Sequence, residues 1–349
     1  MQENGTILSV KDLVIKFRLR GRVLTAIRGA SLELREGETL AIVGESGSGK
    51  SVFTKSFIGM LDQNGWVDSG SILFDGKDLA QYRSEEQWLG VRGKKISMVF
   101  QDPMTALNPL RPVGRQIQEV VELHQGLDGK QAQRAAVELL DRVGITEPEI
   151  RSRQYPHEFS GGMRQRVVIA IAMACKPRIL ICDEPTTALD VTIQAQILGL
   201  IKALRSDFGF TTIYITHDLG VVADVADRVA VMYAGKIVER GTAEEVFYDP
   251  RHPYTWALLS SLPQLGVKGK PLYSISGTPP NLFNTITGDA FAPRNPYALK
   301  VDFAREPPEF RVTETHYAST WLLDPRSPAM EPPAAIRSMR DKYVARSAS

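Results

Sequence analysis

Eight consecutive residues, Gly44-Glu45-Ser46-Gly47-Ser48-Gly49-Lys50-Ser51, constrain this chain more than any other stretch, because they match the pattern G-x-x-x-x-G-K-[ST]. An apolar run, Thr39–Val43, leads into them, and Phe53, Phe57 and Met60 follow at helical spacing. The order is strand, glycine-rich loop, helix. Backbone N–H groups of such a loop turn inward around an anion and the following helix N-terminus adds partial positive charge, so the segment suits nucleotide phosphates. Lys50 would reach the β and γ phosphates, and the Ser51 hydroxyl would ligate Mg²⁺.

The surrounding pattern is that of an α/β chain. Loose alternation over 7–17 and again over 30–34 predicts two antiparallel strands, and Asp75-Gly76 between apolar residues predicts a hairpin over 71–79. A short strand is expected at 96–100. From about 109 to 166 the pattern is helical, notably at 113–123 and 130–143, which predicts an inserted α-helical subdomain. Short β-rich runs at 179–182, 211–216 and 228–233, separated by helical stretches, predict a mostly parallel sheet. Beyond about residue 251, prolines at 253, 263, 271, 279, 280, 293, 296, 307 and 308, among others, break long periodicity and predict a loop-rich appendage.

Ile179-Leu180-Ile181-Cys182-Asp183-Glu184 is an apolar strand ending in two carboxylates, where a parallel sheet presents ligand-binding groups. Asp183 would hold Mg²⁺, and Glu184 would accept a proton from the water attacking the γ-phosphate. As a bare pair, the two also fit a helix N-cap. Ser160-Gly161-Gly162, before a helix expected from about Met163, presents a hydroxyl, backbone donors and a helix dipole to an anion.

With its flanks, Phe159-Ser160-Gly161-Gly162-Met163-Arg164-Gln165-Arg166 resembles the signature sequence of ABC ATPases. The resemblance spans roughly residues 7–250 and implies further roles. Gln101 matches the glutamine that senses Mg²⁺ and the γ-phosphate, Ala188-Leu189-Asp190 the loop crossing the dimer interface, and His217 the switch histidine at the γ-phosphate. Phe17 is the candidate for stacking on adenine; a core phenylalanine fits it nearly as well. Sites of this kind are shared, so the signature loop 160–163 is expected to cover the partner's nucleotide.

Three segments narrow the resemblance to the oligopeptide/dipeptide importer ATPases: 101–109, 183–192 and Arg251-His252-Pro253-Tyr254-Thr255. Nickel importers of the same family have similar ATPases, and a soluble non-transport ABC ATPase is the more distant alternative. The expected architecture is a P-loop ABC ATPase over 5–250 with a mixed sheet core, an antiparallel β subdomain and a helical subdomain at about 105–170. A Pro-rich extension follows over 251–349. The resemblance implies ATP and Mg²⁺ as cofactors, a second ABC ATPase subunit (itself or a related chain), two membrane permeases and an extracellular or periplasmic solute-binding protein. It places the chain peripherally on the cytoplasmic face of the cell membrane.

Composition agrees with a soluble enzyme. Forty-two basic and 40 acidic residues leave a net charge of +2, which supplies no field for nucleic acid, so no nucleic-acid partner is expected. The longest apolar run, 167–175, is well short of the roughly 20 residues that span a bilayer, and the N-terminus lacks the basic and apolar regions of a signal peptide. Only Cys175 and Cys182 occur, which suits a reducing compartment. Many peptide-importer ATPases carry four cysteines in the extension, suited to an iron–sulfur cluster. Here Asp289, Asn295, Asp302 and Thr320 stand in the corresponding places, with His316 retained. Such a cluster needs about four thiolates, so a cluster-free extension held by packing and polar contacts is expected, one that meets the partner ATPase or the permeases.

Overall fold

The computed structural model describes residues 5–187, 189–262 and 274–347, the last six by backbone alone. Ala188, Pro263 and Pro271, named above, lie outside the described residues.

Two sheets organise the chain. The first is antiparallel, with β1 (Thr6–Leu19), β2 (Arg22–Arg35), β4 (Gly65–Phe74) and β5 (Lys77–Asp78) in the order β2-β1-β4-β5. The strands outrun the predicted segments. Arg20 and Gly21 both take positive φ (49° and 76°), so the stretch 18–22 is a tight hairpin turn that carries pairing to Leu19 and Arg22. The looseness of the β1 pattern has a cause: a bulge at Asp12 (φ 47°) shifts the register, so Val10 and Leu13 face the same core although three residues apart.

The second sheet has the order β11-β12-β10-β9-β3-β8-β7-β6. Its centre is β3 (Thr39–Val43), flanked by β8 (Thr211–Thr216) and β9 (Arg228–Tyr233), with β7 (Ile179–Asp183) and β6 (Ile96–Val99) beyond β8, all parallel. These five strands are buried almost throughout, which is why they read as apolar runs rather than alternations. β10 (Lys236–Thr242) turns back antiparallel through Ala234-Gly235, both at positive φ, and was not predicted. Its turn carries neither Asn nor Asp, the usual sequence marker.

The helical subdomain is present, with helices at Val113–Gln125, Gly129–Arg142 and Gly161–Met173 packing Ile117, Val121, Ala136, Leu140 and Ile169 into one core. The C-terminal region is loop-rich as expected yet built into the body. Its helix Pro253–Ser260 is almost entirely buried, and β11 (Phe310–Arg311) and β12 (Tyr317–Ala318) extend the second sheet, β12 pairing with Glu239 and Arg240 of β10.

Candidate nucleotide site

Parallel strands deliver their C-terminal ends to one edge of the sheet, and the predicted site residues collect there. The loop 44–51 leaves β3. Lys50, 5% exposed, folds back so that Nζ donates to the carbonyls of Gly44 (2.8 Å) and Glu45 (3.0 Å), closing the loop around itself. Burial lowers the Lys50 pKa, opposed by Glu184, Asp183 and Glu45, so the loop holds a cation with little water around it. Gly44 is required by close approach: a Cβ there would lie 2.1 Å from the carbonyl oxygen of Met232. The Ser48 hydroxyl is buried without a partner, an open polar group inside the loop. Ser46 and Gly47 are exposed at its tip and Gly49 is half-buried.

One strand over from β8, Asp183 ends β7 at 4% exposure and accepts a hydrogen bond from Ser51 Oγ at 2.9 Å. Burial raises its pKa, against the Ser51 hydrogen bond and the charges of Lys55 and Lys50. Two hard oxygen donors side by side, one anionic, fit a divalent cation such as Mg²⁺.

Glu184, the next residue, takes φ of 46°, a left-handed conformation unusual for a residue with a Cβ. Its N–H donates to the carbonyl of Ile215 on β8 at 2.9 Å, which holds the turn. Three groups then meet its carboxylate. Gln101 Nε2, just beyond β6, donates to Oε2 at 2.9 Å; Thr187 Oγ1 donates to the same oxygen at 2.9 Å; His217 Nδ1, just beyond β8, lies 3.1 Å from Oε1. Gln101 and His217 were named from the sequence; Thr187 was not, because no local pattern marks a hydroxyl that bonds three residues back.

Other predicted residues stand apart. Ser160 is exposed, and its Oγ caps the helix Gly161–Met173 by accepting from Met163 N at 3.3 Å. Gly161 and Gly162 face Leu189 and Ile193, where a Cβ on Gly162 would come within 2.8 Å of the Ile193 side chain. Among the described residues no hydrogen bond or ion pair joins 160–163 to 44–51. Asp190 is exposed and caps its own helix, Val191–Phe208, by accepting from Ile193 N at 2.9 Å. Phe17 is 8% exposed in the core of the antiparallel sheet, its ring against Gly65.

In the extension, Asp289, Asn295 and Asp302 each turn back on the chain. Their side chains accept from the N–H groups of Phe291 (2.9 Å), Tyr297 (2.9 Å) and Leu299 (2.6 Å). Thr320 caps Leu322 in the same way, and His316 Nε2 meets Glu239 Oε1 at 2.8 Å. Among the described residues no group of three or more His, Cys, Asp or Glu is arranged to hold a metal. Cys175, half-buried, lies in the turn after the helix Gly161–Met173 and Cys182 is buried in β7; burial raises the pKa of both thiols.

A glycine-rich loop leaving a central parallel strand, two carboxylates at the end of the strand next but one, and a polar group from each strand that flanks those carboxylates together define a P-loop ATPase of the ABC cassette type. The ABC transporter family matches residues 27–187, and the oligopeptide/dipeptide transporter C-terminal region matches 238–301. The oligopeptide transport ATP-binding protein AmiE of Streptococcus pneumoniae serotype 4 is 58% identical over 341 residues, covering 98% of this chain and 96% of that one. OppD, the oligopeptide transport ATP-binding protein of Bacillus subtilis, is 57% identical over 340 residues, covering 97% and 95%. Among solved structures, the dimeric post-hydrolysis state of the ATP-binding cassette MJ0796 bound to ADP and Pi superposes with a TM-score of 0.60 at 28% identity, over 68% of this chain and 98% of that one. The chain belongs to the oligopeptide/dipeptide transporter family of ABC ATP-binding proteins.

Proposed function

We propose that this chain hydrolyses ATP to drive an importer of oligopeptides or dipeptides, with Glu184 as the base that activates the attacking water. The observation that carries the reading is the convergence of Gln101, Thr187 and His217 on the Glu184 carboxylate, one residue beyond the Asp183–Ser51 pair. A carboxylate held from three sides is oriented in advance, and orientation is much of what phosphoryl transfer asks of a protein. Names of relatives that cover nearly the whole chain support the peptide cargo.

The phosphates fit the loop 44–51, where Lys50 and the unpartnered Ser48 hydroxyl await an anion. Mg²⁺ fits Ser51 and Asp183, Gln101 is assigned to it as a further ligand, and when bound it would neutralise charge on the phosphates. His217, 3.1 Å from Glu184, is assigned to the γ-phosphate, and Phe17 to adenine.

The signature loop 160–163 and the Leu189-Asp190 turn are assigned to a second ATPase subunit, a copy of this chain or a relative. Support comes from their exposure and their lack of bonds to the loop 44–51, since a γ-phosphate needs charge stabilisation from several sides. Among the described residues no helix is long and apolar enough to cross a membrane, so transport requires other subunits: two permeases and a solute-binding protein outside. The ATPase would then work from the cytoplasmic face.

Steady-state ATP hydrolysis, with Glu184→Gln as the control, tests the reading. The variant is expected to bind ATP yet turn over about 10²–10⁴ times more slowly. Hydrolysis at the parent rate would remove Glu184 from its assigned role.

A further inference from the structure

The Arg294 guanidinium, 249 residues along the chain from Glu45, grips that residue's carboxylate in a two-pronged pair. Nη1 lies 2.6 Å from Oε2 and Nη2 lies 2.9 Å from Oε1. Arg294 belongs to a short 3-10 turn of the C-terminal extension, Ala292–Arg294, and its side chain is 4% exposed. Two further N–H groups are used: Nε donates to the carbonyl of Ser276 (2.9 Å), and Nη1 also reaches the Tyr233 hydroxyl (3.1 Å). A second contact from the same region meets the same loop residue, for the Glu45 N–H donates to the hydroxyl of Tyr254 at 2.8 Å. Phe291 of the extension packs edge-on against both Tyr233 and Tyr254, with ring centroids 5.3 Å apart in each case.

Glu45 is therefore held at every polar group: its N–H by Tyr254, its carboxylate by Arg294 and its carbonyl by Lys50. The arrangement answers an electrostatic problem. Glu45 puts a negative charge on a loop whose task is to surround phosphates, and like charges brought close together at a partly desolvated site repel. A bidentate guanidinium neutralises the carboxylate and fixes where it points.

We infer that Arg294 is a positioning residue for nucleotide binding: by pairing with Glu45 it shields the phosphates from that carboxylate and fixes the loop, so the C-terminal extension sets the ATP affinity of the cassette. The inference rests on the ATP-binding role proposed above. It gives the extension a task inside its own subunit, in addition to any contact with partners. Coupling is reciprocal, so bound ATP in turn strengthens the seating of the extension.

The test is equilibrium binding of radiolabelled ATP with Mg²⁺ to the purified full chain. Arg294→Met should weaken binding about tenfold, the scale of a coupling between two sites. Glu45→Gln is the reference that lacks the carboxylate, and Arg294→Met with Glu45→Gln should bind close to that reference and tighter than Arg294→Met alone, because the uncompensated charge is gone. A merely structural arginine would show no such rescue. Arg294→Met binding as the parent does, or a double variant as weak as Arg294→Met alone, would overturn the inference. Should Arg294→Met not fold, Arg294→Gln placed in the Glu45→Gln background carries the test: a further tenfold loss there would overturn it, and near-equality would support it. If the parent chain itself fails to bind Mg-ATP, the proposed function falls and this inference with it.

Discussion

The side-chain amide of Gln101 donates a 2.9 Å hydrogen bond to Oε2 of Glu184, joining residues 83 positions apart at the ends of adjacent strands β6 and β7. Thr187 donates to the same oxygen. That atom thus accepts two neutral donors, while Oε1 faces His217.

Thr187→Val should remove one donor without changing charge or much volume. A hydrogen bond to a charged group is worth about 1.5–3 kcal/mol, so kcat is expected to fall by about tenfold or more while the Kd for Mg-ATP holds. Steady-state kinetics beside equilibrium binding would check the split. A rise in Kd with kcat intact would mean that Thr187 acts on binding.

The positive φ of Glu184 can be tested apart from its chemistry. Both Glu184→Ala and Glu184→Gly delete the carboxylate, yet only glycine adopts φ near +46° without steric cost. Glu184→Gly should be the more stable of the two by about 1 kcal/mol in urea unfolding. Equal stability would show that the left-handed turn stores no strain.

Asp183 couples stability to pH. Burial raises its pKa above the ordinary 3.8, so the nucleotide-free fold favours the protonated carboxyl. Stability from that preference is complete below pH 3.8 and is lost as pH rises through the raised value, leaving ionised Asp183 a net cost at pH 7. Asp183→Asn should therefore raise the Tm of the nucleotide-free chain by about 1–2 °C per kcal/mol recovered, at pH 7, with the gain shrinking toward pH 4. Added Mg-ATP should raise the parent's Tm more than the variant's. A lower Tm for the variant at pH 7 without nucleotide would contradict the burial argument.

The Arg228–Glu38 pair ties β9 to the turn between β2 and β3 and is buried at both ends, with 9% and 8% side-chain exposure and Nη1 3.0 Å from Oε1. Oε1 of Glu38 also accepts from the Arg35 N–H, at 2.7 Å. Arg228→Met would leave that carboxylate buried and unpaired, which costs about 3–5 kcal/mol. Urea unfolding should register it, and Arg228→Met with Glu38→Gln should recover part of the loss.

What the sequence by itself determined is what neighbouring residues can impose: the strand, loop and helix around 44–51, the carboxylates ending β7, and the serine that caps the helix after it. Such features follow from local conformational preference and from period, and both are written in consecutive residues. The polar side chains of the extension belong here too, since Asp289 and Asn295 each bond a backbone N–H two residues on and Asp302 one three residues back. Only the tertiary structure decided that Gln101, Thr187 and His217 share one carboxylate, because that depends on β6, β7 and β8 lying side by side in parallel. It also decided that a proline-rich tail, legible only as lacking periodicity, would bury Tyr254 and Phe291 in the main core and bring Arg294 to Glu45. Contacts between residues hundreds of positions apart leave no period in a single chain; they exist only once burial of apolar surface has closed the distance.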